Sequence, residues 1–200
     1  DRGTKIVEKM IEKKTIILLA FVIACSATFA QKGKVTTAQS LKEAGKIKEA
    51  LETIELTIDP SNSKSGKSIP WPKTWEVRGE IYQAIGQSSD ESIKSLADDP
   101  LTVALESYQK ALELDTKGSN SKSVKIKLTL LTNDLTNQAI NAFQAEDYNK
   151  ALSTFEQILE VNNMPIVKED NPEAVDTVII FNAGLAAYNG EDYEKAVKYY

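Results

Sequence analysis

The side chains with most chemistry to offer are amides. In the stretch LTNDLTNQAINAFQ, Asn133, Asn137, Asn141 and Gln144 follow one another at steps of 4, 4 and 3, which a helix gathers on one face. An amide carries both a donor and an acceptor, so a row of them can pair with the N–H and C=O groups of an extended peptide. Asn182 and Asn189, in FNAGLAAYNG, offer the same chemistry near the end of the chain. The competing reading is an ordinary solvated face opposite an apolar core.

Other chemistries are poorly served. The chain has no histidine and a single cysteine, Cys25, which removes nucleophile–base pairs of the Cys-His or Ser-His kind. The acidic pairs Asp98-Asp99 and Glu191-Asp192 fall in turn-like sequence, where solvated caps are expected and nothing nearby would raise a carboxyl pKa. SGKS and GSNSKS lack the full spacing of a phosphate-binding loop. No catalytic residue, metal site or cofactor is therefore expected. The net charge is −5, and an acidic body without a basic stripe argues against a nucleic-acid partner.

The elements that must position the amides show themselves as an internal repeat. Gly184, Tyr193, Ala196 and Tyr200 are spaced 9, 3 and 4. Ala139, Tyr148, Ala151 and Phe155 repeat that spacing, and so do Ala38, Ile47, Ala50 and Ile54. The apolar and small positions Leu135, Ala139, Ala142 and Phe143 recur at helical steps. A short polar turn follows, and Tyr148, Leu152, Phe155 and Leu159 resume the pattern on a second helix. Ala139 and Ala151 are placed where two helices would cross closely. Trp75, Tyr82, Tyr108, Tyr148, Phe155 and Tyr193 share the rhythm and are expected in the core. Val124, Leu128, Leu131 and Leu135 extend one helix upstream. Asp99-Pro100 and Asn171-Pro172 have the look of helix starts, and DPSNSKSGKSIPWP (59–72) reads as a loop.

WEVRGEIY, with Trp75, Gly79 and Tyr82, followed by ALESYQKALELD, with Ala104, Tyr108 and Ala111, resembles the tetratricopeptide repeat family. It departs from the family pattern at Arg78 and Thr116, and additional residues separate Gly79 from Ala104. The resemblance implies an all-α solenoid of tetratricopeptide-type helical hairpins, with loop and helix insertions, over residues 31–200. About four hairpins are expected. It also implies a non-catalytic scaffold that binds protein or peptide through a groove lined by the first helix of each hairpin, with Asn137 and Asn182 at equivalent places. Thr36 and Val77 take that place in the earlier copies. Glu76 and Glu80 occupy groove surface where the family's carboxylate-binding members carry cations. The rhythm is still running at Tyr200, which predicts further repeats in a longer protein.

Residues 1–30 are read as an N-terminal extension and signal peptide. Lys13 and Lys14 precede the apolar run Ile16–Cys25 and a small-residue stretch to Ala30, the layout of an export signal. Cleavage after Ala30 would release a periplasmic protein. The alternative is lipidation of Cys25 within VIAC, which would place it at the outer membrane, for envelope-protein assembly or glycan capture. A further alternative is the recognition arm of a longer enzyme or sensor.

Overall fold

The computed structural model describes residues 31–200; the segment 1–30, where the export signal and Cys25 are expected, lies outside the described residues. Within these residues the protein is all-helical. A helix over 31–43 (α1) is followed by α2 (Ile47–Ile58), α3 (Pro72–Gln87), α4 (Glu91–Lys94), α5 (Pro100–Leu114) and α6 (Ser121–Gln144). The chain continues through α7 (Tyr148–Asn163), α8 (Pro165–Lys168), α9 (Thr177–Asn189) and α10 (Tyr193–Tyr199). The major helices pack on their neighbours in chain order, α2 on α3, α3 on α5, then α5 on α6, α6 on α7, α7 on α9 and α9 on α10. No described helix is long and apolar enough to cross a membrane.

The repeat is visible in the turns. Gly45, Glu146 and Glu191 each stand two residues before a second helix, and each has a left-handed backbone, with φ of 76°, 61° and 62°. In each turn the next amide reaches back across six residues, from Lys46 N–H to Leu41 O, Asp147 N–H to Ala142 O and Asp192 N–H to Ala187 O, at 2.9 Å. This is the Schellman closure that satisfies the last carbonyls of a helix. Asp147 and Asp192 then cap the following helix, accepting from the backbone N–H of Lys150 at 3.1 Å and of Lys195 at 3.0 Å. The three turns therefore share one geometry despite differing side chains.

Two buried clusters run along the molecule. Val35, Ala38, Ala50, Ile54, Val77, Ile81 and Ile85 join α1, α2 and one face of α3. The larger cluster extends from Leu101 on α5 to Ala196 on α10, and Tyr82 packs against both. Ala139 and Ala151 are fully buried on the packed helices α6 and α7. Gly79 must stay small between α3 and α5, because a Cβ there would overlap the Tyr108 ring. Val124, Leu128, Leu131 and Leu135 are all buried along the extended α6.

Three expectations need correction. Asn171-Pro172 does not start a helix; α9 begins at Thr177, where the Asp176 carboxylate accepts from the Ile179 N–H at 3.1 Å. Residues 165–176 carry α8 instead, tied to α6 by Lys125 Nζ and Asp170 at 2.8 Å. Of the aromatic residues, Tyr108 and Phe155 are buried, whereas Trp75, Tyr82 and Tyr148 are only half-buried. Tyr193 is 58% exposed, because among the described residues no helix covers that side of α10, and it stands edge-on to Tyr188 at 5.9 Å. Lastly, Val77 is fully buried against α1 and α2 and offers nothing to a groove.

Candidate functional site

A groove runs between α3 and α6. One part, of about 410 Å³, is lined by Lys42 of α1, by Glu80, Gln83, Ala84 and Gln87 of α3, by Tyr108, and by Ile126, Lys127 and Leu130 of α6. A second part, of about 570 Å³, is lined by Gly86, Gln87, Asp134, Asn137, Gln138 and Asn141, among others, as far as Lys150. Gln87 lines both parts.

The floor of the groove is a polar seam. Lys73, Glu76, Glu80, Gln83 and Gln87 step along α3 at 3, 4, 3 and 4, and so lie on one face. Asn120, Ser123, Lys127 and Asp134 meet them from α6 and its cap. Glu76 is 1% exposed. Its carboxylate accepts from Ser123 Oγ at 2.6 Å and Asn120 Nδ2 at 2.8 Å, and pairs with Lys127 at 3.0 Å and Lys73 at 3.3 Å. Glu80 pairs with Lys127 at 3.1 Å and also with Lys42. Tyr108 OH donates to Gln83 Oε1 at 2.8 Å; Gln83 Nε2 and Gln87 Nε2 donate to Asp134 Oδ2 at 2.6 and 2.9 Å.

These contacts fix the electrostatics. Burial alone would push the Glu76 carboxyl up, but the hydrogen bonds from Ser123, Asn120 and Lys127 and the charge of Lys73 outweigh it and hold the group at about 2. Burial would likewise lower Lys127, yet Glu76 and Glu80 together raise it. Both groups are charged throughout the ordinary pH range. Glu76 is thus not an acidic groove surface but a buried member of a satisfied ion-pair network. The lysines beside it are already engaged by carboxylates.

The amides divide between the groove and other places. Asn133, Asn137, Asn141 and Gln144 are all exposed on a single face of α6. Asn137 and Asn141 line the wider part of the groove, whereas Asn133 and Gln144 are not among the residues that line it. Asn182 is half-buried on α9, a helix that packs on α7 and α10 rather than joining the α3–α6 groove. Asn189 donates its Nδ2 to the Leu185 carbonyl at 2.8 Å, closing its own helix.

Sequence reasoning missed Gln83, Gln87, Asp134, Ile126 and Leu130. The last two left a signal: α6 has more apolar residues than one buried stripe can hold, since Ile126 and Leu130 alternate with the core positions Val124, Leu128 and Leu131. Among the described residues no group of three or more side chains is arranged to hold a metal ion. Comparison with known proteins finds no family model and no characterised protein that matches the chain.

Proposed function

We propose that this chain is a non-catalytic protein- or peptide-binding scaffold of the bacterial cell envelope, a tetratricopeptide-type solenoid whose groove between the first helices takes an extended polypeptide. The observation that carries the reading is the position of Asn137 and Asn141, exposed on the wall of a groove whose floor polar groups already satisfy one another. Side-chain amides on a rigid helix suit backbone recognition, and the lack of any histidine in the chain leaves little for catalysis. The shared turn geometry of three hairpins supports the repeat reading. Export rests on the leader-like order of residues 10–30.

The test places a photo-crosslinking amino acid at position 141 in the producing cell, with position 122, an exposed site near the start of α6, as the control. Polypeptide adducts at 141 and not at 122 are expected. Adducts in equal yield at both positions, or none at 141, would overturn the reading. Each amide–peptide pair contributes roughly 0.5–1.5 kcal/mol net, so Asn137→Ala with Asn141→Ala should weaken the captured partner about five- to a hundredfold. N-terminal sequencing of the exported protein is expected to begin at Gln31, or at a lipidated Cys25.

A further inference from the structure

Gln31 is the first described residue of α1 and is 1% exposed. Its side-chain Oε1 is enclosed and finds no hydrogen-bond donor among the described residues, whereas buried acceptors are nearly always paired. Its surroundings are well packed. Val35 and Ala38 follow on the same helix face, at steps of 4 and 3, and both are buried. Beside it, Lys32 Nζ lies 4.8 Å from the centre of the Trp71 ring. Cleavage after Ala30 makes this residue the first of the mature chain.

A free amino terminus suits that place badly. The α-ammonium of Gln31 would stand at the positive end of the α1 dipole, where a cation is unfavourable. Lys32 and Lys34 place like charge in the same turn. Burial adds to the penalty, because an ion taken out of water needs an opposite charge or several hydrogen bonds to offset the loss.

Glutamine can remove that charge by itself. The neutral α-amine attacks the side-chain carbonyl carbon Cδ and closes an unstrained lactam ring. The N–Cδ bond forms, the Cδ–Nε2 bond breaks, and Nε2 takes a proton from the amine and leaves as ammonia. No oxidant, reductant or co-reactant enters. The first N–H groups of a helix have no partner within it, so α1 loses no hydrogen bond when this nitrogen becomes a lactam. Ring closure also draws Cδ and Oε1 back to the head of the helix, away from the place where Oε1 lacks a donor.

We propose that Gln31 is a modification site, at which the exported chain cyclises to an N-terminal pyroglutamate. The inference rests on the export reading, in its branch with cleavage after Ala30. The mature protein then begins α1 without a charge and is closed to exopeptidases that require a free α-amine.

The test uses the full chain, exported by the producing cell and recovered from the envelope fraction. The intact protein is labelled on its amines before digestion, which separates cyclisation in the cell from cyclisation during work-up. A glutamate-specific protease then releases residues 31–43, QKGKVTTAQSLKE. Mass spectrometry is the readout, since a lactam blocks stepwise chemical degradation. The peptide is expected to be lighter by one ammonia, with the loss placed on residue 31 by its fragments and no label on the α-nitrogen. Gln31→Asn, whose shorter side chain cannot close an unstrained ring, should be labelled there. A labelled α-amine on Gln31 in the parent would overturn the inference and leave export standing, and so would a chain that begins at a lipidated Cys25. A blocked terminus in the Gln31→Asn variant would overturn it as well, because the block would not come from the glutamine side chain. An unprocessed chain retained in the cytoplasm would overturn both readings.

Discussion

Glu76 shows how the seam between α3 and α6 depends on single groups. Its carboxyl is depressed to about 2 in the folded protein against an ordinary 4.5. A depressed acid contributes stability that is complete above its unfolded pKa and is lost as pH falls through the folded value. Lys127 works in the opposite sense: raised above its ordinary 10.5, it contributes below that value and is lost as pH rises through the folded pKa. The Glu76→Gln variant should therefore be less stable than the parent near neutral pH, by roughly 2–3 kcal/mol. That gap should narrow between about pH 4.5 and pH 2. Urea denaturation of both proteins across that range measures it; a gap independent of pH would mean that Glu76 is not held by its partners. Gly79 gives a second test at this scale. Gly79→Ala forces a Cβ into the Tyr108 ring and should cost about 1–3 kcal/mol, in thermal or urea melts, despite the higher helix propensity of alanine.

Helices here are joined by turns that tolerate an uncomfortable residue. Glu146 and Glu191 adopt the left-handed conformation that Gly45 takes in the first hairpin. A side chain in that region costs about 1–2 kcal/mol, partly offset because glycine loosens the unfolded chain by about 0.4–1 kcal/mol. Glu146→Gly is thus expected to raise stability by about 0.5–1 kcal/mol, the reverse of the usual effect of glycine inside a helix. A lowered melting temperature would contradict this account of the turn. At the crossing of α6 and α7 the constraint is volume. Ala151→Leu should lower stability by about 1–3 kcal/mol, whereas Lys48→Gln at an exposed position of α2 should be nearly neutral.

At the scale of the molecule, stacking in chain order leaves two buried clusters joined through α3 and Tyr82. If the helices stack as the proposed solenoid does, stability is distributed among neighbouring units rather than through one core. Ile54→Ala, which empties a fully buried site among α1, α2 and α3, should therefore speed amide exchange in those helices far more than in α7 and α9. Native-state hydrogen exchange reads this directly. Uniform acceleration along the chain would show that the clusters unfold as one.

Much of this architecture was legible in the residues alone. Periodicity placed the paired helices, the length of α6 and the buried alanines, because a 3.6-residue repeat of apolar side chains has few other ways to leave water. The common face of Asn133, Asn137, Asn141 and Gln144 followed from spacing in the same way. What followed from tertiary structure alone was which polar residues meet across helices distant in sequence. Glu76, placed on the groove surface by sequence position, is enclosed by Asn120, Ser123 and Lys127 in the fold, and Asn137 and Asn182, at matching places in the sequence pattern, lie on helices with different neighbours. Local spacing fixes the face of a helix on which a side chain lies; what stands opposite depends on long-range packing and on insertions such as 165–176, whose placement no short-range periodicity encodes.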